Sequence, residues 1–300
     1  MNSIFLTGGS GFVGTNLQSY LSQGYQFKNF RRGDQVDVKE DIVLHLAGKA
    51  HDTKNITNPN EYYQVNTELT KQVFDAFLQS TARVFITLSS VKAAADKVDG
   101  ILTEEIVPNP QTHYGKSKLL AEQYILSKPI PPGKRVYIIR PCMIHGPGNK
   151  GNLNLLFNLV SKRLPWPLAA FNNKRSFCSI DNLCFVIKEI VEREDIPSGI
   201  YNIVDDQPLS TNELIRCIAR SQSRNPYLLY LPVGFISWIA RLGDWIHLPL
   251  NTERLNKLTQ TYMVSNQKLH NAIGKPFPLT AEEGLMKTLL SFGANKNHNI

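Results

Sequence analysis

Four kinds of feature are missing from this 300-residue sequence: long apolar runs, cysteine pairs at metal or redox spacing, blocks of like charge, and internal repeats. The four cysteines, Cys142, Cys178, Cys184 and Cys217, form no C-x-x-C, and three sit in apolar runs as small hydrophobes do, which points to a reducing compartment. Ser3 to Leu6 reads directly as a strand with no charged start or apolar stretch of a signal peptide before it, so a cytoplasmic protein is expected. The net charge of +8 is spread over scattered lysines and arginines, which fits an anionic small substrate and gives no nucleic-acid footprint. The most apolar stretch, Leu231 to Leu250, is broken by Arg241, Asp244 and two prolines, so no membrane span is expected. Within it Phe235, Trp238, Ile239, Leu242 and Trp245 recur at helical spacing. A helix packed on the domain is the expectation, and a helix lying in a membrane surface the alternative.

The first two thirds alternate short apolar runs with amphipathic segments. This βαβ pattern predicts an α/β fold, a Rossmann doubly wound parallel sheet, with a smaller C-terminal substrate lobe. Strands are expected at Ile4 to Thr7, Gln26 to Phe30, Ile42 to Leu46, Val84 to Ser89 and Val136 to Arg140. Helices are expected at Gly11 to Leu21, Asn66 to Leu78 and Thr112 to Ile125. Only eleven residues, Arg31 to Asp41, join the second and third strands, so a crossover helix is expected to be trimmed there. The expected domains are 1–148 for dinucleotide binding and 149–300 mainly for substrate, with segments returning to the first. Ser210 with Glu213 and Thr280 with Glu283 have capping-box spacing for two of the later helices.

Thr7-Gly8-Gly9-Ser10-Gly11-Phe12-Val13-Gly14 follows a strand and opens a helix, the setting in which glycines let backbone approach a pyrophosphate at a helix N-terminus. An NAD site usually ends its second strand with Asp or Glu; here the position holds Arg31, followed by Arg32. A guanidinium suits a 2'-phosphate, so NADP is favoured with NAD possible; Asp34 or Asp37 could still reach the adenosine.

Tyr114 and Lys118 are four residues apart on one helix face, after a strand ending in Ser89-Ser90. A phenol titrates near pH 10, and bringing it to neutrality takes roughly 4 kcal/mol of phenolate stabilisation, to which a nearby ammonium contributes. Tyr124 and Lys128 repeat the spacing nearly three turns on, and position in the fold favours the first copy. Ser90 is the candidate for orienting the same substrate oxygen, with Ser89 as its rival.

Glycine turn, Ser90, Tyr114 and Lys118 stand in the order seen in extended short-chain dehydrogenases, and the chain resembles the nucleotide-sugar epimerase/dehydratase family over most of its length. His45-Leu46-Ala47-Gly48 resembles the family's HxAA segment beside the cofactor, and Asn66-Thr67 its VN-x-x-T helix start. Arg140-Pro141 through Gly146-Pro147-Gly148 resembles RPxxVYGPG, which implies cofactor contact near Pro141 and Met143; His145 stands where tyrosine is usual. Arg175 resembles the arginine that binds substrate diphosphate, with Arg254 a second candidate and Asn152 a sugar contact.

The resemblance implies an NAD(P)-dependent enzyme acting on a UDP-linked sugar, with a homodimer as a further expectation. The expected reaction is reduction of a UDP-4-keto-6-deoxy-N-acetylhexosamine for surface-polysaccharide synthesis. A UDP-glucose or UDP-GlcNAc 4-epimerase is the alternative, and a non-catalytic NADP sensor the alternative from another class. A dehydratase is disfavoured because Asp96 and Asp99 lie six and nine residues past Ser90. No metal site is expected.

Overall fold

Most residues are buried in five of the six segments that form the central sheet, as strands covered on both faces require. The structure is a computed structural model that describes residues 2–50, 58–149, 152–246 and 251–297. In chain order its elements are β1 (Asn2–Thr7), α1 (Phe12–Leu21), β2 (Tyr25–Asn29), β3 (Ile42–His45), α2 (Asn60–Tyr62), α3 (Leu69–Gln79), β4 (Val84–Leu88), β5 (Ile101–Leu102), α4 (His113–Leu126), β6 (Arg135–Pro141), β7 (Met143–His145), α5 (Asn152–Ser161), β8 (Phe177–Ser179), α6 (Ile180–Glu192), β9 (Gly199–Ile203), α7 (Thr211–Ser221), α8 (Val233–Ile246), α9 (Thr252–Thr259), β10 (Met263–Val264), α10 (Gln267–Ile273) and α11 (Ala281–Asn297). A π-helical turn, Tyr63–Glu68, joins α2 to α3.

The described chain divides into two compact units. The first comprises Met1–Cys142, Ile180–Val204 and Val264–Pro278, and the second Met143–Ser179, Asp205–Met263 and Leu279–Ile300. The chain therefore passes between units at Cys142 and Met143, a few residues before the boundary read from the sequence.

The first unit is built on a six-stranded sheet in the order β2-β1-β3-β4-β6-β9, parallel throughout. Relative to the Rossmann order 3-2-1-4-5-6, no strand lies outside β2 among the described residues. The short link Arg31–Asp41 carries the chain from edge strand β2 past β1 to β3 without a helix, and β2 is accordingly only half covered. Strand order reverses at β1 and β3, so the carboxyl ends of these two strands open the crevice where such folds take ligands. Phe5, Val43, Phe74, Phe77 and Phe85 pack the core on one sheet face.

In the second unit α5, α7 and α11 enclose a separate core of Phe157, Trp166, Ile218, Leu285 and Phe292. Ser210 and Glu213 form the expected capping box at α7, and Thr280 and Glu283 exchange the corresponding bonds at α11. His145 is buried beside Thr288 (Nδ1 to Oγ1, 3.0 Å) and Asp205 (Nε2 to Oδ2, 3.4 Å), whose carboxylate accepts the Ser179 N–H. The histidine thus fastens β7, β8 and α11 together in place of the usual tyrosine. The four cysteines are free and buried.

Candidate active site

The glycine turn is shaped by what presses against it. Gly8 has φ +73°, and a Cβ there would meet Ala47 N at 2.6 Å and Leu46 C at 2.7 Å. A Cβ on Gly14 would strike Gly8 O at 2.3 Å, so helix and strand touch backbone to backbone. Gly11 closes the turn by donating to Gly8 O (3.0 Å) and begins α1 without a side-chain cap. The first N–H groups of α1, around Phe12 and Val13, therefore meet no capping side chain, as anion binding at a helix N-terminus requires. A cradle that any Cβ would fill fits a dinucleotide pyrophosphate.

One polar chain ties the two strand ends together. Thr70 Oγ1 donates to Asn66 O (2.7 Å), so it must accept from His45 Nε2–H (2.9 Å); His45 Nδ1 then accepts from the Thr7 hydroxyl (2.7 Å), which accepts the Ala47 N–H (3.1 Å). Burial, assisted by the Lys118 charge, lowers His45 to about 3, so the ring is neutral and its tautomer follows from the bonds. Asn66 continues the network. Its amide accepts from Lys49 N (2.8 Å) and donates to Lys49 O and to Ser117 Oγ, both at 3.0 Å. The segment Leu46-Ala47-Gly48 is thus clamped between the glycine turn and α4. The helix expected from Asn66 begins earlier, at Asn60, and its π-helical turn carries both Asn66 and Thr67.

α4 is placed by its first turn. Asp96 accepts from Gln111 N (2.6 Å), Thr112 N (3.1 Å) and Thr112 Oγ1 (3.0 Å), and Thr112 caps Gly115 N (3.2 Å). The carboxylate weighed as a dehydratase acid is a helix anchor. A Cβ on Gly115 would meet Lys92 O at 2.4 Å, so glycine lets α4 sit against the turn Val91–Ala93 and brings Tyr114 to Ser90.

The half-buried Tyr114 phenol lies against the Ser90 side chain; burial raises its pKa and Ser90 offsets part of the rise. Tyr62 packs edge-on against its ring at 6.1 Å. Lys118 is buried, donates to Leu88 O (2.7 Å), and is lowered to about 8 by burial, against which Glu122 acts. The two candidate serines separate here. Ser89 donates to Glu122, whose carboxylate takes the Arg140 guanidinium in a bidentate pair with both side chains buried. Ser90 faces Tyr114 and also accepts the Lys92 N–H (3.2 Å). Sequence reasoning did not single out Glu122; its place one turn beyond Lys118 on the same helix face was the available signal.

The other candidates fall as follows. Arg31 is exposed just beyond β2, with its backbone N–H bonded to Asp34 Oδ2 (2.9 Å), so a guanidinium and a carboxylate share that turn. Asp37 instead pairs with Lys39 (2.7 Å). Pro141 ends β6, and Met143, in the second unit, is partly exposed. Arg175 is half-buried between the backbones of Leu209 and Tyr262, and its guanidinium donates to Lys257 O (3.0 Å) in the last turn of α9. Arg254 is exposed on the same helix. Asn152 opens α5, and its side chain lies outside the described residues. Among the described residues no group of His, Cys, Asp and Glu is arranged for a metal, and no helix is long and apolar enough to cross a membrane.

The chain is similar to known proteins over most of its length. The chain is 29% identical to a UDP-glucose 4-epimerase of Vibrio cholerae over 97% of its own length and 95% of the relative's. It is 26% identical to an N-acetyl-α-D-glucosaminyl-diphospho-ditrans,octacis-undecaprenol 4-epimerase of Escherichia coli O157:H7, covering 96% and 94%. A GDP-6-deoxy-D-mannose reductase of Pseudomonas aeruginosa is 26% identical over 72% of this chain and 79% of the relative. Among solved structures, a UDP-N-acetylglucosamine 4-epimerase from Bacillus cereus has the same fold, with TM-score 0.76, 19% identity and coverage of 97% and 99%. Residues 4–203 match the NAD dependent epimerase/dehydratase family, a span that holds the glycine cradle, Ser90, Tyr114, Lys118 and Arg175. With its parallel Rossmann sheet and its NAD(P) cradle, this enzyme belongs to the NAD-dependent epimerase/dehydratase family.

Proposed function

We propose that this enzyme epimerises C4 of a diphosphate-linked sugar, a UDP-hexose or UDP-N-acetylhexosamine, keeping its nicotinamide cofactor bound through the cycle. The observation that carries the reading is the placement of Tyr114 against Ser90 at the carboxyl end of β4, in a chain aligned over nearly its whole length with two 4-epimerases. The cofactor supplies a hydride acceptor and donor when bound. Gly8, Gly11, Phe12, Val13 and Gly14 hold its pyrophosphate, Arg31 its adenosine end, and Leu46, Ala47, Gly48, Pro141 and Met143 line its path.

Tyr114 takes the proton of the C4 hydroxyl as that carbon is oxidised and returns it once the ketone has presented its other face. Ser90 donates to the C4 oxygen and so orients it beside Tyr114. Lys118, one turn along the same helix face, is the cation that joins a bound cationic ring in favouring phenolate, against the burial that lowers its own pKa. In the second unit Arg175 and Arg254 take the substrate diphosphate and Asn152 contacts the sugar.

Arg31 supports a second reading, NADPH-dependent reduction of a UDP-4-keto-6-deoxy-N-acetylhexosamine, because a guanidinium suits a 2'-phosphate. The two are separated by supplying UDP-GlcNAc or UDP-galactose without added cofactor, then the 4-keto sugar with NADPH. Interconversion of C4 epimers with co-purifying NAD⁺ is expected; stoichiometric NADPH consumption only in the second assay establishes the reductase instead.

A further inference from the structure

α8 is apolar nearly all round, yet only one of its faces is covered. Ile236, Ala240 and Gly243 are buried against the second unit. On the other side Phe235, Trp238 and Trp245 are 50%, 58% and 81% exposed, Ile246 is 54% exposed, and Leu242 is partly exposed between them. At about 100° per residue these five side chains fall within an arc of roughly 100°, the width of an amphipathic helix's apolar stripe. Phe235 and Trp238 stack at 6.5 Å, so the surface is continuous. Arg241 is exposed at the edge of the arc. Asp244 lies off the arc, and its carboxylate is turned to Thr252 N (3.0 Å) and the Thr252 hydroxyl.

We propose that α8 docks this enzyme on an anionic lipid bilayer, lying in the plane of the interface with Phe235, Trp238, Leu242, Trp245 and Ile246 in the headgroup region. Aromatic side chains with a polar ring atom are suited to that boundary, and an arginine beside them reaches lipid phosphates while its stem covers apolar surface. Charge selects the occupant. A second copy of the chain carries the same net +8 and is repelled, whereas an anionic surface is attracted by it. α8 packs on α9, whose Lys257 carbonyl holds the Arg175 guanidinium, so docking sets the proposed diphosphate arginine on an element attached to the membrane-facing helix.

The chain has three tryptophans, of which Trp166 is buried, so a change in emission on binding reports Trp238 and Trp245. Full-length protein is titrated with vesicles of phosphatidylcholine alone and with 30% phosphatidylglycerol, followed by emission and co-sedimentation, beside the W238S/W245S variant. Circular dichroism melting checks that the variant folds. The expected result is a blue shift and sedimentation with anionic vesicles, at least about tenfold weaker in high salt and in the variant. Absence of wild-type binding, or binding unchanged in the folded variant, overturns the proposal. A wild-type dimer that the double substitution splits, without vesicle binding, assigns the face to a second copy instead. If the variant does not fold, R241E, which touches no buried contact of α8, replaces it and is read against the same outcomes.

Discussion

The Tyr-x-x-x-Lys spacing occurs twice, at Tyr114–Lys118 within helix α4 and at Tyr124–Lys128, whose lysine lies just past the helix end, and the two copies have opposite fates. Ten residues leave the second copy rotated by about 80° from the first. Both phenols are half-buried, so exposure does not separate them. Partners do. Tyr114 meets a neutral hydroxyl on Ser90, which can exchange roles as hydrogen-bond donor and acceptor, while the Tyr124 hydroxyl donates to the Asp75 carboxylate, whose oxygens lie at 2.8 and 2.7 Å. The lysines diverge in the same way. Burial lowers Lys118 to about 8, whereas the hydrogen bond to Tyr124 raises Lys128, which lies over that ring at 4.7 Å. A spacing motif is chemistry only on the helix face that meets the carboxyl end of a parallel strand.

The largest effect expected is on turnover. Tyr114→Phe should cost 10²- to 10⁴-fold in kcat with cofactor affinity nearly intact, the usual range for a lost acid-base group, and Tyr124→Phe should stay within about twofold. Steady-state rates on the C4 epimers, beside cofactor titration, decide it; comparable losses in the two variants would erase the contrast.

Next comes the pair that holds the first copy in place. Glu122→Gln leaves the Arg140 guanidinium buried without its counter-charge and should cost about 3–5 kcal/mol in denaturant unfolding. Asp75→Asn, at the second copy, should cost under about 1 kcal/mol.

The serines sharpen the comparison on the strand side. Ser90→Ala should lower kcat with little change in stability, while Ser89→Ala should cost about 1–3 kcal/mol of stability through its lost bond to Glu122 and spare kcat in the folded fraction.

The smallest effect concerns pH. A lysine lowered to about 8 in the fold and titrating near 10.5 unfolded binds more protons in the unfolded state between those values, so its contribution to stability rises with pH across that window. Lys118→Met removes the rise and should melt no lower than wild type at pH 7, while activity is lost. Lys128→Met should leave the wild-type pH profile of unfolding between 8 and 10.5 in place. A wild-type slope that survives in Lys118→Met would assign it to another group.

The sequence by itself determined the parallel α/β class, the glycine turn and the Tyr114–Lys118 pair, because periodicity, turn chemistry and i,i+4 spacing are local properties of the chain. It also signalled the trimmed crossover, since eleven residues cannot hold a helix and two connections. Only the tertiary structure decided between Ser89 and Ser90, because adjacent strand residues point to opposite faces and the choice depends on where Glu122 lies on another element. The same holds for Asp96, whose carboxylate is a helix anchor only because fifteen residues of chain fold back to Gln111. Glu122 is unremarkable in sequence, and Arg140, read there only as part of a family segment, pairs with it only when β6 and α4 meet. α8 marks the limit from the other side. Its apolar spacing was readable, but which arc is covered and which faces outward is set by packing against neighbours distant in sequence, information that no window of the chain contains.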